Sequence, residues 1–298
     1  MKIIKNKVIV IVGPTGAGKT TLAIQLAKKY RGGLISADSR QIYKELDIGT
    51  AKSKDEYKKA KVEIFLIDLV SPRQSFNVAK YKELAFRKID EFLKQNKLPI
   101  VVGGTGFYID AIIKNYVYPP KADKAIQNKL NRLSEEELLK RLQKVDPKTA
   151  LKIDPKNKRR LIRALEVYES TGIPLSKFGK KPNVAKYNFL ILGIDLSREK
   201  LYRRIDERVD KMIEDGLVQE TKKLHQKYGR VESLNTIGYK EIIEYLDGKI
   251  SLEEAIRKIK FNTHSYVRRQ MTWFRRNKKI VWIKNQKEAE EKIMQFLR

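Results

Sequence analysis

The segment Gly13-Pro14-Thr15-Gly16-Ala17-Gly18-Lys19-Thr20 constrains this chain more than any other feature, because it fits G-x-x-x-x-G-K-[ST]. That pattern has structural meaning only between a strand and a helix, and both flanks comply. Before it, Val8-Ile9-Val10-Ile11-Val12 is a β-branched run without polar alternation, as in a parallel strand covered on both faces. After it, Thr20 to Tyr30 reads as a helix. In that setting backbone N–H groups converge on phosphate oxygens and the helix N-terminus adds partial positive charge. Lys19 supplies a cation and Thr20 offers a hydroxyl to Mg²⁺. The motif leaves open whether the phosphates belong to a nucleotide such as ATP.

Strands and helices alternate behind the loop. Gly32-Gly33 closes the first helix before the apolar run Leu34-Ile35-Ser36-Ala37, which ends at Asp38 and completes a βαβ unit. Ile64-Phe65-Leu66-Ile67 ends at Asp68. A helix from about Val78 to Gln95 carries Tyr81, Leu84, Ala85, Ile89, Phe92 and Leu93 on one stripe. Pro99 introduces the strand Ile100-Val101-Val102, which stops at Gly103-Gly104-Thr105-Gly106. The expected fold is α/β, a doubly wound parallel sheet of the P-loop NTPase kind, where ligands gather beyond the carboxyl ends of the strands. Thr15, Asp38 and Thr105 fall at such ends.

At Tyr118-Pro119-Pro120 the rhythm changes, and helical patterns dominate until about Tyr187. Ser134 with Glu137 forms a capping-box signature, and Asp154-Pro155 starts a second helix carrying Leu161, Ile162, Leu165 and Tyr168. Strand character returns at Phe189-Leu190-Ile191-Leu192. A helix follows from about Arg198 to Glu214, ending at Gly216; Ser251 with Glu254 caps another that reaches roughly Arg275, and Ile280 to Ile283 is a last short strand. The expected domains are a P-loop core over 1–116 and 187–298 and a helical insertion over 117–186.

Lys and Arg total 65 against 36 Asp and Glu, a formal net charge of +29 spread over most of the chain. A polyanionic partner is one explanation; coding bias or adaptation to heat is the other. With no Cys and only His225 and His264, disulfides, thiolate catalysis and Cys-ligated zinc are excluded, and a His-based metal site is disfavoured. The chemistry must rest on carboxylates, hydroxyls, cations and backbone amides. Met1 to Val12 imitates a signal peptide, but its apolar run is too short to span a bilayer and enters a glycine loop, so a soluble cytoplasmic protein without membrane association is expected.

Asp38-Ser39-Arg40-Gln41-Ile42-Tyr43, Asp47-Ile48-Gly49-Thr50-Ala51-Lys52 and Val102-Gly103-Gly104-Thr105-Gly106-Phe107-Tyr108 fit no common kinase pattern. Together with Arg159-Arg160-Leu161-Ile162-Arg163-Ala164-Leu165-Glu166, Ile237-Gly238-Tyr239-Lys240-Glu241 and Arg269-Gln270-Met271-Thr272-Trp273-Phe274-Arg275, they resemble the tRNA dimethylallyltransferase family, in the family's order from about Val8 to Trp282. The resemblance implies Mg²⁺-dependent transfer of a dimethylallyl group from dimethylallyl diphosphate to the N6 amine of the adenosine just 3′ of a tRNA anticodon. Gly13 to Thr20 would then hold the diphosphate, with Thr20 at the metal.

The residues suit that chemistry without a protein nucleophile. The P-loop, Lys19 and Mg²⁺ can absorb the charge of a departing diphosphate. An adenine amine is a poor nucleophile, so a carboxylate beside it is useful as acceptor and general base. Asp38 is placed to be that base, or else is a strand-end metal ligand or a helix cap. Thr105 hydrogen-bonds the substrate or the adenine, or its hydroxyl only caps the turn. Arg208, four after Arg204 on a helix carrying Leu201, Ile205, Val209 and Met212, borders the apolar stripe and either meets the diphosphate or pairs with a core carboxylate.

For RNA, the target base leaves its stack for a pocket, and Asp38, Ser39, Arg40 and Gln41, with Thr105, are suited to read its edge and neighbours. Arg159, Arg160 and Arg163 cluster opposite the Leu161-Leu165-Tyr168 face, either as phosphate contacts or as a solvated face; Arg159-Arg160-Leu161-Ile162-Arg163 is the implied tRNA-binding segment. By resemblance Asn235, Thr236, Ile237, Gly238, Tyr239 and Lys240, and the helix bearing Arg268, Arg269, Arg275 and Arg276, also meet tRNA. Trp273 and Phe274 are assigned to the core. Gln127 stands where a basic residue would meet the tRNA. The expected partner is the anticodon stem-loop, bound by a monomer. Two rivals remain: prenyl transfer to a free adenine nucleotide, against which the insertion and charge speak, and an RNA-binding P-loop ATPase, for which no convincing Walker-B-plus-glutamate site is found.

Overall fold

The computed structural model describes residues 6–120, 123–178 and 185–298. Two compact units are present, 1–113 together with 187–298, and 114–186. Met1–Lys5, the start of the leader-like stretch, lie outside the described residues.

The first unit is built on a six-stranded sheet of β1 (Lys7–Val12), β2 (Gly32–Ser36), β3 (Ile64–Phe65), β4 (Leu98–Gly103), β5 (Asn188–Ile194) and β6 (Ile280–Ile283), in the order β3-β2-β4-β1-β5-β6 and parallel throughout. Its helices before the second unit are α1 (Lys19–Tyr30), α2 (Lys54–Ala60), α3 (Val78–Lys94) and α4 (Gly106–Ile113). The second unit contributes α5 (Lys124–Asn131), α6 (Glu135–Val145), α7 (Pro147–Ala150) and α8 (Lys158–Thr171). The first then resumes with α9 (Arg198–Glu214), α10 (Leu217–Tyr228), α11 (Tyr239–Leu246), α12 (Leu252–Arg275) and α13 (Gln286–Leu297).

The uninterrupted apolar character of β1 follows from its position between β4 and β5. Val8, Val10 and Val12 enter one core with Ile35, Val101 and residues of α3, α9 and α12, while Ile9 and Ile11 enter another with Leu34, Ile100 and residues of α1 and α13. Register then sets the site: Val12 lies level with Gly103 and with Gly193, and Ser36 with Val102, so the loops after β1, β2 and β4 open at one sheet edge.

Three local expectations are corrected. Gly32-Gly33 does not close α1, which ends on Arg31 at φ 50; the pair opens β2, and a Cβ on Gly33 would lie 2.1 Å from the Phe92 ring. β3 stops at Phe65 because Leu66 and Asp68 take φ 62 and 51, which breaks the extended chain. Asp154-Pro155 makes a turn in which Asp154 accepts from Lys156 N–H, and α8 starts three residues after Pro155 with Asn157 as its cap. The caps at Ser134 and Ser251 form as expected.

In the second unit Leu130, Leu138, Leu142, Leu161, Ile162 and Leu165 close a separate core. Within it Glu166 is fully buried, its oxygens taking Asp123 N–H at 2.9 Å, Gln127 Nε2 at 3.2 Å and Arg163 Nη1 at 2.8 Å. Among the described residues no helix is long and apolar enough to cross a membrane.

Candidate active site

The P-loop turns on two glycines, Gly16 at φ 82 and Gly18 at φ 85, where a side chain would be strained. Lys19 folds back so that Nζ donates to Pro14 O at 2.7 Å. Burial lowers its pKa to about 8, with Asp38 opposing the shift and Arg208 adding to it. Thr20, in the first turn of α1, faces the hydroxyl of Tyr57, which burial pushes up to about 12.

A cleft of about 980 Å³ opens over this loop, lined also by Asp38 to Gln41, residues 47–53, Arg208 on α9, and Asn235 to Gly238 with Lys240. Asp38 Oδ1 accepts from Arg40 N–H at 2.8 Å and Gln41 N–H at 3.3 Å, an Asx turn rather than a helix cap. Its other oxygen accepts no hydrogen bond among the described residues. Arg208 Nε is buried without a partner, and no ion pair to it exists among the described residues, so the alternative of a core salt bridge does not hold. Burial lowers the Arg208 pKa while Asp38 raises it. The cleft therefore carries two under-compensated cations and one half-used carboxylate.

Thr105 does not line the cleft itself. Its N–H donates to Ala37 O at 3.1 Å and its hydroxyl accepts from Ser39 N–H at 3.0 Å, which ties the β4 loop to the Asp38 turn. Gly103 permits this approach: a Cβ there would lie 2.2 Å from Ala37 O. Gln41 Nε2 donates to Thr50 O at 3.0 Å, so this expected base reader also braces the neighbouring loop. That loop is fixed from behind by Glu220 of α10, which accepts from Ile48 N–H at 2.9 Å, Gly49 N–H at 3.2 Å and Tyr239 OH at 2.6 Å.

Several expected RNA contacts are placed elsewhere. Tyr239 and Leu161 are fully buried and Ile162 nearly so, which withholds them from direct contact with a ligand. Arg163 is committed to Glu166 and to Pro120 O at 2.8 Å, and Gln127 to Glu166. Arg159 and Arg160 are exposed; Lys240 sits 3.4 Å from Glu241. Phe274 is core, but Trp273 is 40% exposed and lines a second cleft of about 450 Å³ with Arg268, Arg269 and Arg276, which corrects its assignment. Sequence reasoning missed Tyr57, Glu220, Tyr266 and the role of Gln270. Only Gln270 lay in a quoted motif, where its neighbours' charge drew attention from its amide.

Among the described residues no group of three or more His, Cys, Asp or Glu could hold a metal ion. The donor set, the Thr20 hydroxyl with Asp38 across the cleft, fits a Mg²⁺ bound mainly through substrate phosphates and water.

Fold and cleft define an α/β protein of the P-loop type. A family model described as IPP transferase matches residues 41–277, and one described as novel STAND NTPase 3 matches residues 1–76. A tRNA dimethylallyltransferase of Acetivibrio thermocellus is 46% identical over 98% of this chain and 96% of its own length, and one of Pelotomaculum thermopropionicum is 45% identical over 96% and 93%. The crystal structure of the tRNA isopentenylpyrophosphate transferase of Bacillus halodurans matches with a TM-score of 0.71 at 40% identity, covering 98% of this chain and 95% of that one. A eukaryotic dimethylallyltransferase acting on tRNA matches with a TM-score of 0.79 at 32% identity, over 90% of this chain and 70% of that one. The chain belongs to the IPP transferase family, the tRNA dimethylallyltransferases, and is an enzyme of the transferase class.

Proposed function

We propose that this enzyme moves the dimethylallyl group of dimethylallyl diphosphate to the N6 amine of the adenosine 3′-adjacent to the anticodon in tRNA and releases diphosphate. The observation that carries the reading is the joint presence of Lys19, Arg208 and Asp38 in one cleft, where Asp38 and Arg208 both act on the Lys19 charge and Asp38 acts on that of Arg208. The C1–O bond of the donor breaks with its electron pair going to the diphosphate, the N6–C1 bond forms, and the N6 proton passes to the free oxygen of Asp38. Lys19, Arg208 and the P-loop amides take up the leaving group's charge. Thr20 would help hold a Mg²⁺ there, which would supply further neutralisation of that charge. Ser39, Arg40 and Gln41, braced by Thr105, face the base; Arg159, Arg160, Asn235, Thr236, Lys240 and the α12 arginines meet the tRNA backbone. The enzyme acts as a monomer in the cytoplasm.

The test is incubation with labelled dimethylallyl diphosphate and either unmodified tRNA or AMP. Label in tRNA at the anticodon-adjacent adenosine is expected. Label in AMP in preference to tRNA, or ATP hydrolysis with no label transferred, would sink the reading.

A further inference from the structure

Helix α12 addresses the loop after β4 with a single stripe, Tyr266, Gln270 and Trp273, spaced four and three residues apart. Tyr266 is half-buried beside Thr105, and a Cβ on Gly106 would lie 2.3 Å from the Trp273 ring. Between them Gln270, 6% exposed, spans two loops. Its Oε1 accepts from Thr15 N–H at 3.0 Å and its Nε2 donates to Gly104 O at 2.8 Å. One partner is a donor and the other an acceptor, so the amide is satisfied in one orientation only. A Cβ on Gly104 would lie 2.4 Å from Nε2, so the glycine makes room for the contact. A P-loop amide that could have faced phosphate is thereby spent on the protein.

We propose that Gln270 is a positioning residue for prenyl transfer: it bolts the donor loop at Thr15 to the acceptor loop at Gly104, and so sets the distance between the diphosphate cradle and the Thr105–Asp38 side of the cleft. The proposal rests on the transferase reading above. Transfer requires the reacting atoms to approach to about 3–3.5 Å, and a misplacement of about 1 Å can cost about 100-fold in rate. Diphosphate binding depends on Lys19, Arg208 and the remaining loop amides, which Gln270 does not touch. Loosening the bolt lowers kcat and leaves binding largely intact.

The experiment compares the full-length wild type with Gln270→Met and Gln270→Glu, measuring label transfer to tRNA from about pH 6 to about pH 9, with calorimetric binding of dimethylallyl diphosphate alone. Gln270→Met should lose about tenfold or more in kcat, with diphosphate affinity and the KM for tRNA within about threefold. In Gln270→Glu the ionised carboxylate lacks the donor for Gly104 O, whereas the protonated carboxyl regains an O–H. The deficit of Gln270→Glu should therefore shrink as pH falls, relative to wild type, while that of Gln270→Met stays flat. Wild-type kcat in Gln270→Met, a loss confined to diphosphate affinity, or a Gln270→Glu deficit independent of pH would each overturn the clamp. If Gln270→Met fails to fold, the Gln270→Glu profile decides. A wild type that labels no tRNA would overturn the transferase reading and the clamp with it; a wild type that labels tRNA no better than Gln270→Met would overturn the clamp alone.

Discussion

Replacing Arg208 by Met should move stability and turnover in opposite directions. The wild-type Nε is buried with no partner, and burial already pulls the guanidinium pKa down. An unsatisfied buried donor costs about 1–3 kcal/mol. Part of the side chain reaches the cleft, where water screens it, so the lower end applies and Arg208→Met should gain about 1 kcal/mol. In a domain of this size that is a rise of about 2–4 °C in Tm, readable by scanning fluorimetry. In single-turnover label transfer, losing a donor aimed at the leaving diphosphate should cost about 10²–10³ in rate. Arg208→Lys keeps charge without the fork and should fall between. A lower Tm with unchanged transfer would refute the reasoning, since it would make Arg208 a structural cation.

Lys19 carries a pH signature. Its folded pKa lies near 8, below the 10.5 of a free lysine, so burial penalises the folded state fully below about pH 8, and the penalty vanishes above about 10.5. Lys19→Met should therefore raise Tm at neutral pH and not at high pH; diphosphate binding should take up a proton and weaken as pH rises through about 8, and calorimetry in buffers of different ionisation heat checks both sign and window. Arg163→Ala should act first on folding. It strips a fully buried Glu166 of its cation, a loss of about 3–5 kcal/mol for a closed pair, reduced to about 2 because Arg163 is 32% exposed and two other donors remain; weakened tRNA binding at unchanged Tm would contradict this. Gly33→Ala should cost about 1–3 kcal/mol by driving a methyl into the Phe92 ring, and Phe92→Leu in the same chain should recover part of it. Strict additivity in denaturant titrations would rule out that clash.

The sheet and its P-loop were legible because β1 announces burial on both faces and the loop's glycines have one structural use. Helix ends with side-chain caps, at Ser134 and Ser251, were legible for the same local reason. Arg208 was found from its place beside an apolar stripe, a period that survives folding. What escaped depends on distant partners. Glu220 looks like any charge on an amphipathic helix until the loop at 47–49 arrives, and Arg163 looks solvated until Glu166 proves buried. Trp273 was misjudged because aromatic character predicts core on average, whereas three arginines surround it here. Gly32-Gly33 was read as punctuation when its use is close packing. In each case composition told what a residue is, and only the fold told what stood opposite.

The long reach of the cleft's fastenings has a consequence for biosynthesis. The phosphate loop is among the first parts of the chain to leave the ribosome, yet Thr15 waits for Gln270, 255 residues later, and Ile48 waits for Glu220, 172 residues later. A nascent chain carries the glycine loop long before it carries a finished site. A chain terminated before α12 lacks the amide that ties Thr15 to Gly104, so its phosphate loop and its β4 loop are not fastened to each other. The cleft's fastenings close only as the C-terminal helices dock onto loops made long before them.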